Sequence, residues 1–143
     1  HSQEHGNTHA MAEAVGEGGR AAGADVDLVN TNEQRLEIDA YRTVDAAAFG
    51  SPDYYSYIAG GMKVFLDDWF IAKQNDGSGL TGKPYALFYS HGGGGAVKGP
   101  LESLFERMGT KVGKTVESRG KPDRRVLEAC RELGRALAED SAG

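Results

Sequence analysis

Short apolar runs of strand length alternate with helical patterns along this chain, and that alternation limits what it can fold into. The clearest run, Pro84-Tyr85-Ala86-Leu87-Phe88-Tyr89, passes directly into Ser90-His91-Gly92-Gly93-Gly94-Gly95. A second, Ala46-Ala47-Ala48-Phe49, stops at Gly50-Ser51-Pro52. Residues Ala24 to Val29 alternate like an edge strand covered on one face, and Lys111 to Glu117 alternate as well. Between them, helical spacing runs from Asn7 to about Ala22, from Gly61 to Phe70 and from Val97 to Met108. Gly18 and Gly19 within the first helix would allow close packing on a sheet. Pro122 opens a last helix at its first turn, with Val126, Leu127, Cys130, Leu133 and Leu137 on its buried face. A short helix is expected near Glu33 to Ile38, and Gln74 to Lys83 reads as an exposed loop. Strand, helix and strand in sequence require parallel pairing with helical crossovers. The chain is therefore predicted to form a doubly wound parallel α/β sheet with helices on both faces.

Ligands of such sheets bind beyond the carboxyl ends of the strands, and three unusual loops fall at that edge. The first is Ser2-Gln3-Glu4-His5-Gly6-Asn7-Thr8, leading straight into a helix. Backbone N–H groups at a helix start carry partial positive charge and attract anions. Gly6 lets the backbone come close, and Asn7 and Thr8 add side-chain donors. The same residue types also suit an ordinary N-cap. The second loop is Gly50 to Gly60 and the third Ser90 to Gly95. Three ligand-capable loops at one edge say more than any one of them.

Composition narrows the function. With 143 residues the chain has the length of one domain, and 39% apolar and 26% charged residues are ordinary for a globular protein. A net charge of −5 argues against nucleic acid as a partner. Cys130 is the only cysteine, which excludes an intrachain disulfide and a cysteine-rich metal site; its helical setting marks it as a core residue. No apolar run approaches the roughly 20 residues of a membrane span, so cytoplasm is the default location. The sequence holds no Ser/His/Asp nucleophile elbow, no metal-spaced cluster and no GxGxxG fingerprint. No catalytic residue and no metal ligand is assigned.

Taken together, the Ser-x-x-x-Gly-Asn-Thr loop, Gly50-Ser51-Pro52-Asp53-Tyr54-Tyr55, the helix start Ala59-Gly60-Gly61-Met62-Lys63-Val64-Phe65-Leu66-Asp67 and Ser90-His91-Gly92-Gly93-Gly94 resemble the flavodoxin-like family. The likeness covers nearly the whole chain, with one residue more between Ser2 and Gly6 than many flavodoxins have. It implies a single FMN-binding domain over residues 1–143, with Ser2, Gln3, Glu4, His5, Gly6, Asn7 and Thr8 holding the phosphate. Ser51, Pro52, Asp53, Tyr54 and Tyr55 would form the second flavin loop, in which either tyrosine can stack on or edge the ring system. Ser90, His91, Gly92, Gly93 and Gly94 would form the third, offering bare amides to the pyrimidine edge. His91 is either a neighbour of that edge or, slightly favoured, a solvated loop imidazole; His5 raises the same question beside the phosphate. Trp69 reads as core or subunit interface, and Asp67 and Asp68 as exposed helix charge.

The resemblance also implies an apolar central strand immediately before the first loop, whereas the sequence begins at His1. A gap in the middle of the sheet, exposing neighbouring edges, is the resulting expectation. The function implied is an electron carrier shuttling between redox partner proteins, its chemistry supplied by FMN. The alternative is an FMN-dependent NAD(P)H:quinone oxidoreductase, with the loop from Gln74 to Lys83 as a pocket wall and Trp69 as a stacking surface.

Overall fold

The computed structural model describes residues 6–142. Its centre is β2 (Lys83–His91), in which every residue from Tyr85 to Ser90 is buried. Only a strand covered on both faces has use for so continuous a run of Tyr, Ala, Leu and Phe. On one side β2 pairs in parallel with β1 (Ala47–Pro52), Ala47 opposite Tyr85 and Pro52 opposite Ser90. On the other it pairs in parallel first with β3 (Gly109–Lys111) and then with β4 (Val116–Arg119). The predicted strand over Lys111 to Glu117 is thus two strands. Residues 112–115 leave the ladder between them, although the Val112 N–H still donates to the Tyr85 carbonyl at 2.7 Å.

Side-chain alternation along β2 separates two cores. Tyr85, Leu87 and Tyr89 join Phe49 beneath α2 (Ile38–Arg42), α3 (Gly60–Asn75) and α4 (Lys98–Phe105), which contribute Tyr41, Phe65, Leu66, Trp69, Leu101 and Phe105. Ala86 and Phe88 face α1 (Asn7–Ala21) and α5 (Arg124–Ala142) instead, packing with Met11, Val15, Cys130, Leu133 and Leu137. The doubly wound parallel sheet with helices on both faces is the fold adopted.

The small side of this sandwich depends on two glycines. A Cβ on Gly18 would stand 1.9 Å from the Arg131 carbonyl oxygen, and one on Gly134 equally close to that of Val15. Gly18 therefore brings α1 against α5, not against the sheet as the sequence suggested. Asp123 starts α5, its Oδ1 accepting from the Val126 N–H at 2.9 Å, so the helix begins after Pro122 and Pro122 does not sit in its first turn.

Two further expectations are corrected. Ala24 to Val29 belongs to no strand and joins no ladder among the described residues. The far edge of β1 likewise has no strand partner among the described residues. The helix expected near Glu33 to Ile38 is displaced to Ile38–Arg42. The Asn30 carboxamide accepts from the Asn32 N–H and its carbonyl takes those of Glu33 and Gln34, which closes a turn where that helix would have begun. No helix among the described residues is long and apolar enough to cross a membrane.

Candidate functional site

The carboxyl ends of β1 and β2 and the start of α1 meet at one rim, and three polar links join them there. Gly6 precedes α1 with φ 65°, a left-handed conformation that suits glycine. Asn7 and Thr8 open the helix, and the buried Thr8 hydroxyl lies 2.6 Å from that of Ser90 at the end of β2. Ser2, Gln3, Glu4 and His5, to which the sequence assigns most of the anion chemistry, lie outside the described residues.

Asp53 makes the other two links. It follows β1, and its N–H donates to the Ser90 carbonyl at 2.9 Å, continuing the parallel pairing. Its carboxylate then accepts from Ser56 N–H at 2.8 Å and from Val97 N–H at 3.1 Å. One side chain thereby braces its own loop and the loop after β2. Ser51 and Pro52 are strand residues under this rim. The buried Ser51 hydroxyl donates to the Pro52 carbonyl and accepts from Ala59 N–H, fixing the approach to α3 from below. Asn32 supports the same helix start, its side-chain oxygen accepting from Gly61 N–H at 3.2 Å. Nothing in the local sequence points to this use of Asn32.

Above the brace, Tyr54 and Tyr57 exchange two backbone hydrogen bonds of 3.0 Å across a tight turn. The turn's centre, Tyr55 and Ser56, has φ 55° and 64°, a pair of left-handed residues where glycine or asparagine is usual. Tyr54 is partly exposed and Tyr55 fully so. The third loop, by contrast, makes its left-handed pair from Gly94 and Gly95. Gly92, Gly93 and Gly94 are exposed, and a Cβ on any of them would meet nothing within 4 Å. No side chain stands between their backbone and an approaching ligand.

His91 departs from the solvated imidazole favoured by the sequence. It ends β2 with its side chain only 5% exposed, because Gly95 folds over it and Tyr89 stacks beside it with ring centroids 5.9 Å apart. Glu117 on β4 accepts a very short hydrogen bond from the Tyr89 hydroxyl, and its Oε2 lies 3.4 Å from His91 Nε2. That distance is within ion-pair range, but its geometry forms no hydrogen bond. Burial, reinforced by the Glu117 bond, raises the Tyr89 hydroxyl well above the ordinary tyrosine range. The pairing of Tyr89 with Glu117 follows from strand register, information that no local motif carries.

Trp69 is a core residue. It is 1% exposed, its indole N–H donates to the Leu80 carbonyl at 2.9 Å, and it offers no stacking surface. Asp67 pairs at the surface with Lys63, whereas Asp68 is largely covered. Arg35 grips Asp68 through bonds of 2.9 and 2.6 Å, lowering the pKa of that carboxyl. Burial pushes the Cys130 thiol up to about 12, which fits its place in the core and leaves it unreactive.

A flavodoxin sequence model matches residues 2–134. A flavodoxin from Aquifex aeolicus is 30% identical over 154 residues, covering 94% of this chain and 80% of that protein. An oxidase of the H(2) form of coenzyme F420 from Methanothermobacter thermautotrophicus is 31% identical over 142 residues, covering 95% of this chain. The chain spans only 33% of that oxidase's length. Among solved structures, a flavodoxin from the domain Archaea superposes with TM-score 0.84 at 28% identity, covering 100% of this chain and 95% of the other.

Proposed function

The chain belongs to the flavodoxin family, and from that membership we propose that it binds FMN at this rim and carries electrons between redox partner proteins. The observation that carries the reading is Tyr55: a fully exposed aromatic ring held at φ 55° on a loop braced by Asp53. Non-glycine residues in that region are strained, and such strain gathers where a ligand is held. A ring that touches nothing of its own chain stabilises the fold by no packing, so its use lies outside the chain.

The residues present fit the cofactor. Tyr54 and Tyr55 would flank the isoalloxazine, and the amides of Gly92, Gly93 and Gly94 would meet its polar edge without side chains in the way. Ser2 to Thr8 would hold the phosphate at the start of α1. Ser51, Pro52, Asp53 and Ser90 would form the floor and brace of the site, with His91 beneath the third loop. Bound FMN would supply the redox chemistry; the protein's part is to bind, orient and exclude water. The FMN domain would extend over residues 1–143 and work in the cytoplasm. A second reading, an electron-delivering domain of a longer oxidase, is favoured by the chain's spanning a third of its Methanothermobacter oxidase relative.

An absorption spectrum of the FMN-reconstituted protein tests cofactor binding, since bound and free flavin differ in band shape. Steady-state NAD(P)H oxidation with a quinone then separates carrier from oxidoreductase: a carrier gives no turnover alone, and rapid turnover would replace this reading with the oxidoreductase.

A further inference from the structure

His91 is unusual among the polar groups of the rim in being buried with neither ring nitrogen hydrogen-bonded among the described residues. Leaving a buried donor or acceptor unmade is costly, and a native protein that does so usually puts the group to use. The surroundings indicate which use. Glu117 Oε2 stands 3.4 Å from His91 Nε2 and is already bonded by the Tyr89 hydroxyl. Other charges reach the cluster from each packed element: Asp53 from the loop after β1 and Glu102 from α4 both act on Tyr89, and Arg119 is opposite His91 in the β4 register. Gly95, at φ 64°, covers the pair closely; a Cβ there would come within 3.0 Å of Glu117 Oε2 and 3.2 Å of His91 Nε2. The third loop therefore rests directly on an imidazole and a carboxylate separated by too little for solvent and too much for a good bond.

We propose that His91 is a redox-linked proton acceptor: it binds a proton when the flavin held by the third loop gains negative charge, with Glu117 receiving the new N–H. The proposal rests on the FMN reading above. A neutral imidazole has room for one proton, so one of the two electrons that FMN can take from a one-electron donor protein of the iron–sulfur or flavin class is matched by one proton, taken from solvent hydronium, that forms one N–H bond on the His91 ring. The charge of that one electron is thereby balanced. Tyr89 keeps Glu117 facing the ring through its hydroxyl bond, so it acts as a positioning residue. Histidine suits the task because it is the side chain whose ordinary charge change falls between pH 5 and 8.

The test uses the full chain loaded with FMN, with dithionite as electron donor. Backbone-linked NMR assignment identifies the His91 ring without any variant, and its titration is followed in the oxidised and fully reduced protein. Reduction is expected to tighten His91 proton binding about tenfold, the lower end of the shift that a nearby opposite charge produces. The reduction midpoint should show a matching break in its pH dependence. That break should be absent in His91→Gln and move to lower pH in Glu117→Gln, which keeps the test open if the buried substitution does not fold. A His91 titration unmoved by reduction, or a break surviving in His91→Gln, overturns the proposal and leaves FMN binding intact. Failure to bind FMN at all overturns both.

Discussion

The loops after β1 and β2 each contain two successive left-handed residues, yet they build them from opposite materials. Gly94 and Gly95 reach φ 75° and 64° at no steric cost, and Gly92 to Gly94 carry no side chain into the open space beside them. Tyr55 and Ser56 reach φ 55° and 64° with side chains attached, in a turn that glycine would make more easily. The loop after β2 has given up side chains, which leaves its backbone open to approach. The loop after β1 keeps a strained, solvent-exposed ring. Asp53 binds both, accepting from Ser56 N–H and from Val97 N–H, so they behave as one surface with two textures.

Breaking that joint should have the largest effect. Asp53→Ala removes the acceptor for both amides and should lower stability by about 2–3 kcal/mol, in line with hydrogen bonds to a charged group. FMN affinity should fall more than tenfold with it, read from urea unfolding and a fluorescence titration of the same preparation. Unchanged values would mean that the two loops are independent.

A tyrosine from the core gives the next contrast. Tyr41 lies buried under α3, and its hydroxyl, without a hydrogen-bond partner among the described residues, is pushed up to about 12 by burial. An unfolded tyrosine ionises near about 10. The raised value leaves stability untouched below that pH and erodes it as pH climbs toward the folded value, by about 1.4 kcal/mol per pH unit. Tyr41→Phe should flatten this alkaline loss by one proton and cost little at neutrality. Chemical denaturation of the wild type and Tyr41→Phe between pH 8 and 11 reads the difference, and equal alkaline losses would contradict it.

Smaller effects probe the turns themselves. Gly95→Ala should destabilise by about 1 kcal/mol, since alanine resists positive φ and its methyl would press on Glu117 and His91. Tyr55→Asn should move the other way, raising the melting temperature slightly because asparagine tolerates the left-handed region. It should also weaken FMN binding by about fivefold, the stacking contribution of one ring being ~1 kcal/mol. A more stable variant with unchanged affinity would show that the ring is not there for flavin.

The layered fold was legible because β2 carries an unbroken apolar run and the helices carry periodic stripes. Those are local signals. The edge segment Ala24 to Val29 misled because alternation describes one face of a strand and says nothing of a neighbour to pair with. The rim loops were visible from glycine, serine and tyrosine content, but not what fastens them. Asp53 appeared only as a member of a loop. Glu117 lay in an alternating stretch with no sign that register would set it against Tyr89. His91 looked like any loop histidine because its burial comes from Gly95 folding back, a backbone event that composition does not encode.

The most direct test of the account is a flavin-fluorescence titration of this chain with FMN and with riboflavin, side by side. If the three loops form one FMN site with its phosphate at the start of α1, FMN should bind at least tenfold more tightly, about 1.4 kcal/mol. Equal affinities, or no quenching by either, would contradict it.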